Sequence, residues 1–206
     1  MYLPRHFAEP RLEVLHEALR GAGLVTLVTT GPDGLDASHL PMLLEAEPGP
    51  LGRLVGHVAR ANPVWQTTPA GTTALAVVLG PDAYVTPTWY PTKAETGAVV
   101  PTWNYLALHA HGALRFFHER APLLEVVTRL TDRHEAGRPH PWKVADAPAG
   151  YVDGLLQAIV GVELTITRLE GKWKASQNRS EADRRGVAEG LARDCHEAMS
   201  RLVRGG

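Results

Sequence analysis

The sequence contains one cysteine, Cys195, among its 206 residues. A single cysteine excludes an intrachain disulfide and a cysteine-based zinc cluster. Long apolar runs are also missing. None approaches the roughly 20 residues of a membrane-spanning helix, and Met1–His6 lacks the apolar stretch of a signal peptide. We therefore expect a cytoplasmic protein without a membrane partner.

An excess of either charge is absent as well. The 21 Lys and Arg residues nearly balance the 22 Asp and Glu residues, which gives a formal net charge of −1. This balance argues against a broadly basic face for nucleic acid. The length of 206 residues and the 44% hydrophobic content are typical of a soluble globular protein, and we expect one domain over residues 1–206.

The signature motifs of common nucleotide-binding and hydrolase folds are missing. The sequence has no Gly-x-Gly-x-x-Gly, no Gly-x-x-x-x-Gly-Lys-Ser/Thr and no Gly-x-Ser-x-Gly. Rossmann, P-loop and α/β-hydrolase folds are therefore disfavoured. Several β-branched or alternating runs are instead separated by Gly/Pro turns and short helices. This order predicts a mainly β fold with flanking helices, built on an antiparallel barrel.

The first strands form a predicted hairpin. The turn Gly31–Gly34 joins residues 24–30 to a returning strand over Leu35–Leu44. Further along the chain, the apolar run Thr73–Leu79 predicts a central strand. We expect Gly80-Pro81 to break it.

The second half of the chain contains the longest predicted strand, Trp103–His118, in which apolar and polar residues alternate. It follows an aperiodic loop at Pro91–Val100. The chain closes with a predicted amphipathic helix over about residues 180–203, for which Ser180 is the N-cap. The apolar side of this helix includes Cys195, which favours a buried and unreactive thiol.

Two segments mix aromatic rings with amides, hydroxyls and cations. These are Thr102–Tyr105 and Lys172–Arg179, the second of which follows the last predicted strand. Rings can stack on a flat ligand, amides can bind its edges, and cations can bind a phosphate. The composition alone equally allows an aromatic strand edge in the first segment and a solvated loop in the second.

Two further segments carry polar groups at strand ends. Ser38–Pro41 lies in the returning strand of the hairpin, and Gly56–Trp65 spans a strand-to-helix junction. In the second segment Arg60 suits a phosphate because a guanidinium pairs well with phosphate oxygens. The alternatives are a paired edge strand with an exposed histidine and an ordinary junction.

The histidines of the longest strand are candidate metal ligands. His109 and His111 lie on one strand face at a spacing that can chelate an ion. The sequence shows no evident third ligand, so we predict no metal site. Likewise, no arrangement of Ser, His and Asp stands out as a nucleophilic triad.

Five motifs resemble those of the PaiB family, described as FMN-binding negative transcriptional regulators. They are Ser-His-Leu-Pro (38–41), Gly-His-x-Ala-Arg-Ala-Asn-Pro-x-Trp (56–65), Gly-Pro-x-Ala-Tyr-x-x-Pro-x-Trp-Tyr (80–90), Val-Pro-Thr-Trp-Asn-Tyr (100–105) and Lys-Trp-Lys-x-Ser-Gln-Asn (172–178). The resemblance implies an FMN-binding split β-barrel related to pyridoxamine-phosphate oxidases. It also implies FMN as cofactor and a homodimer that binds FMN at the subunit interface.

By this resemblance, His39, Leu40 and Pro41 run along the isoalloxazine ring. We expect Arg60 and Lys172 to bind the phosphate, because their cationic side chains suit its oxygens. The complete set of predicted FMN-binding residues is Ser38, His39, Leu40, Pro41, His57, Arg60, Asn62, Trp103, Asn104, Lys172, Lys174, Ser176, Gln177 and Asn178.

The predicted function has two forms. The family resemblance favours a regulator of transcription, although DNA binding is carried by the resemblance alone. No helix-turn-helix is evident, and the arginines of the C-terminal helix are interleaved with acidic residues. The alternative is a small FMN-dependent oxidoreductase that uses NAD(P)H, since hydride transfer is chemistry of the cofactor. Haem binding is a third and weaker alternative.

Overall fold

The computed structural model describes residues 1–148 and 150–205. Its strands are β1 (Ala8–Glu9), β2 (Val25–Gly31), β3 (Gly34–Leu40), β4 (Met42–Glu45), β5 (Arg53–Ala59), β6 (Thr73–Val85), β7 (Thr102–Phe117) and β8 (Ile159–Lys174). Its helices are α1 (Leu12–Gly21), α2 (Val64–Thr67), α3 (Thr92–Thr96), α4 (Arg120–Glu135), α5 (Tyr151–Gln157), α6 (Glu181–Arg193) and α7 (Glu197–Gly205). No helix among these residues is long and apolar enough to cross a membrane.

The strands follow the order β3-β2-β6-β7-β8-β5-β4, and β1 pairs with β8. The β2–β3 hairpin is antiparallel, with Val25 opposite Leu40 and Gly31 opposite Gly34. Strand β5 is antiparallel to β8 along its whole length. The mainly β fold with flanking helices predicted from the sequence is therefore confirmed.

Contacts along the chain define two compact units. The first unit comprises Met1–Arg11, Leu79–Leu108 and the chain from Glu170 onward, and the second comprises Leu12–Val78 and His109–Leu169. The expectation of one domain over residues 1–206 stays a prediction.

The core of the first unit forms around α6 and α7. Its buried members are Ala83, Val85, Tyr90, Ala175, Val187, Ala188, Leu191, Met199 and Val203. Two glycines of α6 allow the close approach of Trp89, because a Cβ atom at Gly190 would lie 2.3 Å from the indole ring and one at Gly186 2.1 Å from the Trp89 carbonyl oxygen. Glycine weakens a helix by about 1 kcal/mol, and here it permits tight packing.

One cluster of core residues in the second unit lies under α4. Its buried members are Leu43, Val55, Phe117, Leu123, Val126, Leu130 and Leu156. Beside this core, Glu163 accepts hydrogen bonds from Arg53 and Arg115 at 2.8 and 2.9 Å. Glu45 pairs with Arg53 and Arg129. Burial opposes the ionisation of Glu45, but the hydrogen bonds from the two arginines outweigh it and lower the pKa of this carboxyl.

Two strand predictions were wrong. The returning strand Leu35–Leu44 is two strands, because β3 pairs with β2 while β4 pairs with β5, and Pro41 separates them. Conversely, β6 continues through Gly80-Pro81. Its pairing with β2 involves only Leu75–Val77, so Pro81 lies beyond that ladder and its missing N–H removes no bond to β2. The longest predicted strand is confirmed as β7.

The single C-terminal helix predicted over residues 180–203 is two helices. Ser180 is the N-cap as expected, since its hydroxyl accepts a hydrogen bond from the Asp183 N–H. Helix α6 ends in a Schellman motif, in which the N–H of His196 donates to the Leu191 carbonyl. Cys195 occupies the left-handed position of this motif, with φ 63°, and is exposed rather than buried.

The predicted loop Pro91–Val100 is partly helical. Residues Thr92–Thr96 form α3, and Gly97 ends it in the left-handed conformation. The side chain of Asp183 stabilises the start of this helix by accepting hydrogen bonds from the N–H and hydroxyl of Thr92. Asp183 thus lies in the first turn of α6, and its carboxylate is bonded to the start of α3.

Candidate functional site

In the second unit, an open groove of about 680 Å³ runs beside β3. We call it the β3 groove. It is lined by Asp36–Pro41, His57–Ala59, Asn62 and Pro63. The fold thus brings together six of the predicted FMN-binding residues, namely Ser38, His39, Leu40, Pro41, His57 and Asn62.

The side chain of Asn62 joins the two sides of the β3 groove. Its Nδ2 donates to Ser38 Oγ at 3.1 Å, and its Oδ1 accepts from the Val64 N–H at 2.9 Å. The second bond forms the local turn that precedes α2, an arrangement for which asparagine is well suited. Within the hairpin, His39 Nδ1 of β3 lies 3.0 Å from Thr26 Oγ1 of β2. These contacts hold the polar groups of β3 in defined positions.

His57 contributes a neutral imidazole to the β3 groove. The ring is half-buried, and its Nδ1 is buried without a hydrogen-bond partner among the described residues. Burial lowers the pKa of His57 below its ordinary value of 6.5, so the ring is uncharged at neutral pH. A neutral imidazole offers one donor and one acceptor to a ligand.

Arg60 lines a different cavity of the second unit, together with His118 and Arg120. Its guanidinium donates to the main-chain carbonyls of Gln157 and Ile159 at 2.6 and 2.7 Å. These bonds connect the end of β5 to the α5–β8 junction. The role of Arg60 as a phosphate ligand stays a prediction.

In the first unit, a small cavity of about 50 Å³ lies between β7 and the segment that follows β8. We call it the Tyr90 cavity. It is lined by Tyr90, Thr102, Asn104, Lys174, Ser176, Asn178 and Arg179. Four predicted residues meet here: Asn104, Lys174, Ser176 and Asn178. Asn104 and Ser176 are buried, and Asn104 Nδ2 donates to Ser176 Oγ at 2.9 Å.

Strand β8 extends to Lys174, so the two predicted lysines lie on a strand and not on a loop. Lys172 Nζ donates to the Tyr2 carbonyl at 3.1 Å and lies over the rings of Tyr2 and Tyr105. Lys174 Nζ donates to Thr102 Oγ1 at 2.7 Å. Burial lowers the pKa of Lys174, and the positive charges of Lys172 and Arg179 lower it further.

The remaining predicted residues of the first unit have other surroundings. Gln177 closes its own turn, because its Oε1 accepts from the Ala175 N–H at 2.7 Å and its Nε2 donates to the Trp173 carbonyl at 2.5 Å. Trp103 is exposed and contacts Tyr84 edge to face. It lines a separate, mostly apolar hollow with Leu79 and Leu106.

Three residues of the Tyr90 cavity were not predicted as site residues: Tyr90, Thr102 and Arg179. Each belongs to a segment whose residue types or motif had already been singled out. Tyr90 ends the Trp-Tyr pair of the third motif, and Arg179 follows the fifth. Only the folded structure shows that Tyr90, Thr102 and Arg179 line the same cavity.

A family model described as "Putative FMN-binding domain" matches residues 1–168. The chain belongs to this family. The match confirms the family predicted from the sequence and the flavin cofactor that this family implies. The Lys172–Asn178 segment lies beyond the matched residues.

Two relatives match nearly the full chain. The "Protease synthase and sporulation protein PAI 2" of Bacillus subtilis is 30% identical over 191 residues, which cover 93% of this chain and 89% of that protein. An uncharacterized protein of Emericella nidulans is 34% identical over 242 residues, which cover 99% and 96% of the two chains. The first of these relatives supports the PaiB assignment.

Solved structures share the fold at low sequence identity. The FAD and heme binding protein of Mycobacterium smegmatis has a TM-score of 0.61 at 18% identity, covering 89% of this chain and 80% of that one. A flavocytochrome of Azotobacter vinelandii has a TM-score of 0.60 at 14% identity, covering 88% and 77%. These likenesses confirm the predicted fold class, a split β-barrel with flanking helices.

Proposed function

We propose that this protein is an FMN-binding regulator of transcription of the PaiB type, and that its β3 groove binds the isoalloxazine ring. One observation carries the proposal: six residues predicted independently of the structure line a single open groove. The groove combines the edge of a strand with the polar side chains of Ser38, His57 and Asn62, which suits a flat ring with polar edges.

The chemistry of the groove walls fits a flavin. Strand β3 stands at the end of the strand order, so one side of its main chain has no partner strand in that order. Its N–H and C=O groups can therefore hydrogen-bond the ring edge. Asn62 and Ser38 orient each other, and the neutral His57 adds a donor or an acceptor. Bound FMN supplies the electron-transfer chemistry, while these residues bind and orient the ring.

Flavin binding is tested with the purified protein. A visible spectrum, followed by titration with FMN, is expected to show a bound flavin with quenched fluorescence. Substitution His57→Leu should weaken FMN binding about tenfold or more, because it removes a polar contact at the ring. The matched control is His134→Leu, since His134 is exposed on α4 and lines neither the β3 groove nor the cavity of Arg60. Equal affinities in both variants would contradict the placement of the ring. The same spectrum shows haem, if present, by its Soret band.

Regulation is the part of the proposal that the family resemblance supports. A direct repressor is expected to bind a duplex from its own promoter with a sequence preference that persists at physiological salt. Binding that disappears with salt and ignores sequence argues against a specific repressor. The proposal is consistent with the cytoplasmic location predicted from the sequence.

The proposed assembly is a homodimer with FMN at the subunit interface. Its support within the second unit is the exposure of β3, in which Gly34–Ala37 and His39 are exposed. A groove bounded by such a strand can be completed by a second chain. Light scattering should show a dimer whose dissociation constant falls when FMN is added. A monomer that binds FMN with full affinity would contradict this assembly.

A second candidate is a small FMN-dependent oxidoreductase. The openness of the β3 groove favours it, since a second substrate can reach a ring bound there. Anaerobic mixing of the FMN-loaded protein with NADH or NADPH measures this activity directly. Bleaching of the flavin within seconds supports an enzyme, and a flavin that stays oxidised favours the regulator.

A further inference from the structure

The Tyr90 cavity contains cations that form no ion pair among the described residues. It also contains hydrogen-bond donors that have no acceptor there. We propose that it binds one phosphate-sized oxyanion through Lys174, Arg179 and Tyr90. The groups that carry this proposal lie entirely within the first unit. It does not depend on flavin binding in the β3 groove.

The Tyr90 cavity is positively charged. The walls of the Tyr90 cavity include Lys174 and Arg179 but no aspartate or glutamate. Among the described residues, neither of these cations nor the neighbouring Lys172 forms an ion pair. Their mutual repulsion lowers the pKa of Lys174 in addition to the effect of burial. An anion between these cations would relieve that repulsion.

The hydroxyl of Tyr90 lacks an acceptor for its proton. Tyr90 is only 2% exposed, and the group close to its Oη is the Arg179 guanidinium, which can donate a hydrogen bond but cannot accept one. Burial raises the pKa of Tyr90, against the opposing charge of Arg179, so the hydroxyl is a proton donor at neutral pH. The guanidinium of Arg179 lies 4.9 Å from the ring centroid. A buried donor without an acceptor is unfavourable, and an oxyanion would supply the acceptor.

Asp183 is the carboxylate that could compete for this role. Its charge raises the pKa of Tyr90, so it lies near the ring. However, it is not a wall of the Tyr90 cavity, and its two oxygens accept hydrogen bonds from Thr92 at 3.2 and 2.9 Å. The carboxylate is thus committed to the start of α3.

The Tyr90 cavity has free hydrogen-bond donors and room for a small ligand. An ammonium has three donors, and the Lys174 contacts with Thr102 Oγ1 and the Trp103 carbonyl use two of them. Ser176 Oγ accepts from Asn104, so its own proton is available to a ligand. The volume of about 50 Å³ exceeds the roughly 10–15 Å³ that one water needs. It suits a group of a few atoms rather than a flavin ring.

A phosphate group fits this donor set, because its oxygens accept several charge-assisted hydrogen bonds at once. Two sources have the same chemistry: free inorganic phosphate and the phosphate of FMN. A competition experiment separates them. If FMN displaces inorganic phosphate and riboflavin does not, the phosphate of FMN is the occupant. If neither displaces it, the site takes a free oxyanion.

The experiment is titration of the full chain with inorganic phosphate at constant ionic strength, followed by calorimetry and by thermal unfolding. The wild type should show saturable binding and a rise in Tm. Arg179→Gln and Tyr90→Phe should each weaken phosphate binding about tenfold or more. The matched control is Arg185→Gln, because Arg185 is exposed on α6 and does not line the cavity.

Tyr90→Phe also keeps the test independent of folding. Because no described residue accepts the hydroxyl proton, removal of the hydroxyl should leave Tm without phosphate nearly unchanged, while the phosphate-dependent rise becomes smaller. Absence of saturable phosphate binding, or an equal loss in Arg185→Gln, overturns the proposal. Failure of the β3 groove variants to alter FMN binding leaves this result unaffected.

Discussion

The amide of Asn62 offers the sharpest test of how the β3 groove is held. It donates to Ser38 Oγ at 3.1 Å and accepts from the Val64 N–H at 2.9 Å. A net contribution of about 0.5–1.5 kcal/mol per hydrogen bond predicts that Asn62→Ala lowers the free energy of unfolding by about 1–3 kcal/mol. Both contacts are partly buried, so solvent replaces them only in part.

Asn62→Asp keeps the size of the side chain and changes only its hydrogen-bonding groups, so it tests the two hydrogen bonds separately from side-chain volume. A carboxylate still accepts from the Val64 N–H, and the Ser38 hydroxyl can rotate to donate to it. We therefore expect Asn62→Asp to retain most of the stability that Asn62→Ala loses. The assay is urea unfolding, in which a shift of the midpoint at constant m-value reports the change.

A double-mutant cycle with Ser38→Ala isolates the contact across the groove. The coupling energy between Asn62 and Ser38 should be about 0.5–1.5 kcal/mol. If Asn62→Ala costs the same with Ser38 present or absent, the amide does not hold β3 and the reasoning is refuted. FMN affinity measured on the same variants shows whether the ring depends on this bond.

Four other predictions concern stability. A Cβ atom at Gly112 would lie 2.0 Å from the Thr165 carbonyl oxygen, so Gly112→Ala should cost at least about 3 kcal/mol in urea unfolding. Gly154→Ala, in open space on α5, should be neutral or gain up to about 1 kcal/mol. Because burial lowers the pKa of His57, the unfolded chain binds its proton more readily, and stability should fall as pH drops below 6.5. His57→Gln should flatten that pH dependence, and an unchanged slope would contradict the assignment. Cys195→Gly should stabilise the protein by about 1 kcal/mol because Cys195 has φ 63°, whereas Cys195→Ala should not.

Local patterns recover much of the fold. The strand-to-helix junction predicted within Gly56–Trp65 is confirmed as the end of β5 and the start of α2. Ser180 caps α6 as predicted, because such signals depend on neighbouring residues. The path of β6 through Gly80-Pro81 could not be predicted, since it depends on where the pairing with β2 ends. The interruption between α6 and α7 at Cys195 could not be predicted either. Apolar spacing continues across it, and the Schellman motif is made by main-chain bonds without a glycine.

The candidate sites also divide into parts that local motifs predict and parts that depend on contacts between distant segments. The β3 groove unites residues from two motifs that the sequence already singled out, so it could be predicted except for Arg60, whose guanidinium binds main-chain carbonyls. The Tyr90 cavity could be predicted only in part. Tyr90 and Arg179 are far apart in the sequence, and nothing local indicates that the ring and the guanidinium stack.

The turn at Cys195 also provides a spectroscopic handle. This residue is the only cysteine of the sequence, it is exposed, and its main chain is held by the Schellman motif. A thiol-reactive spin label therefore attaches at one position per chain without any mutation. A dimer then yields one inter-label distance and a monomer yields none, so native protein can report its own assembly.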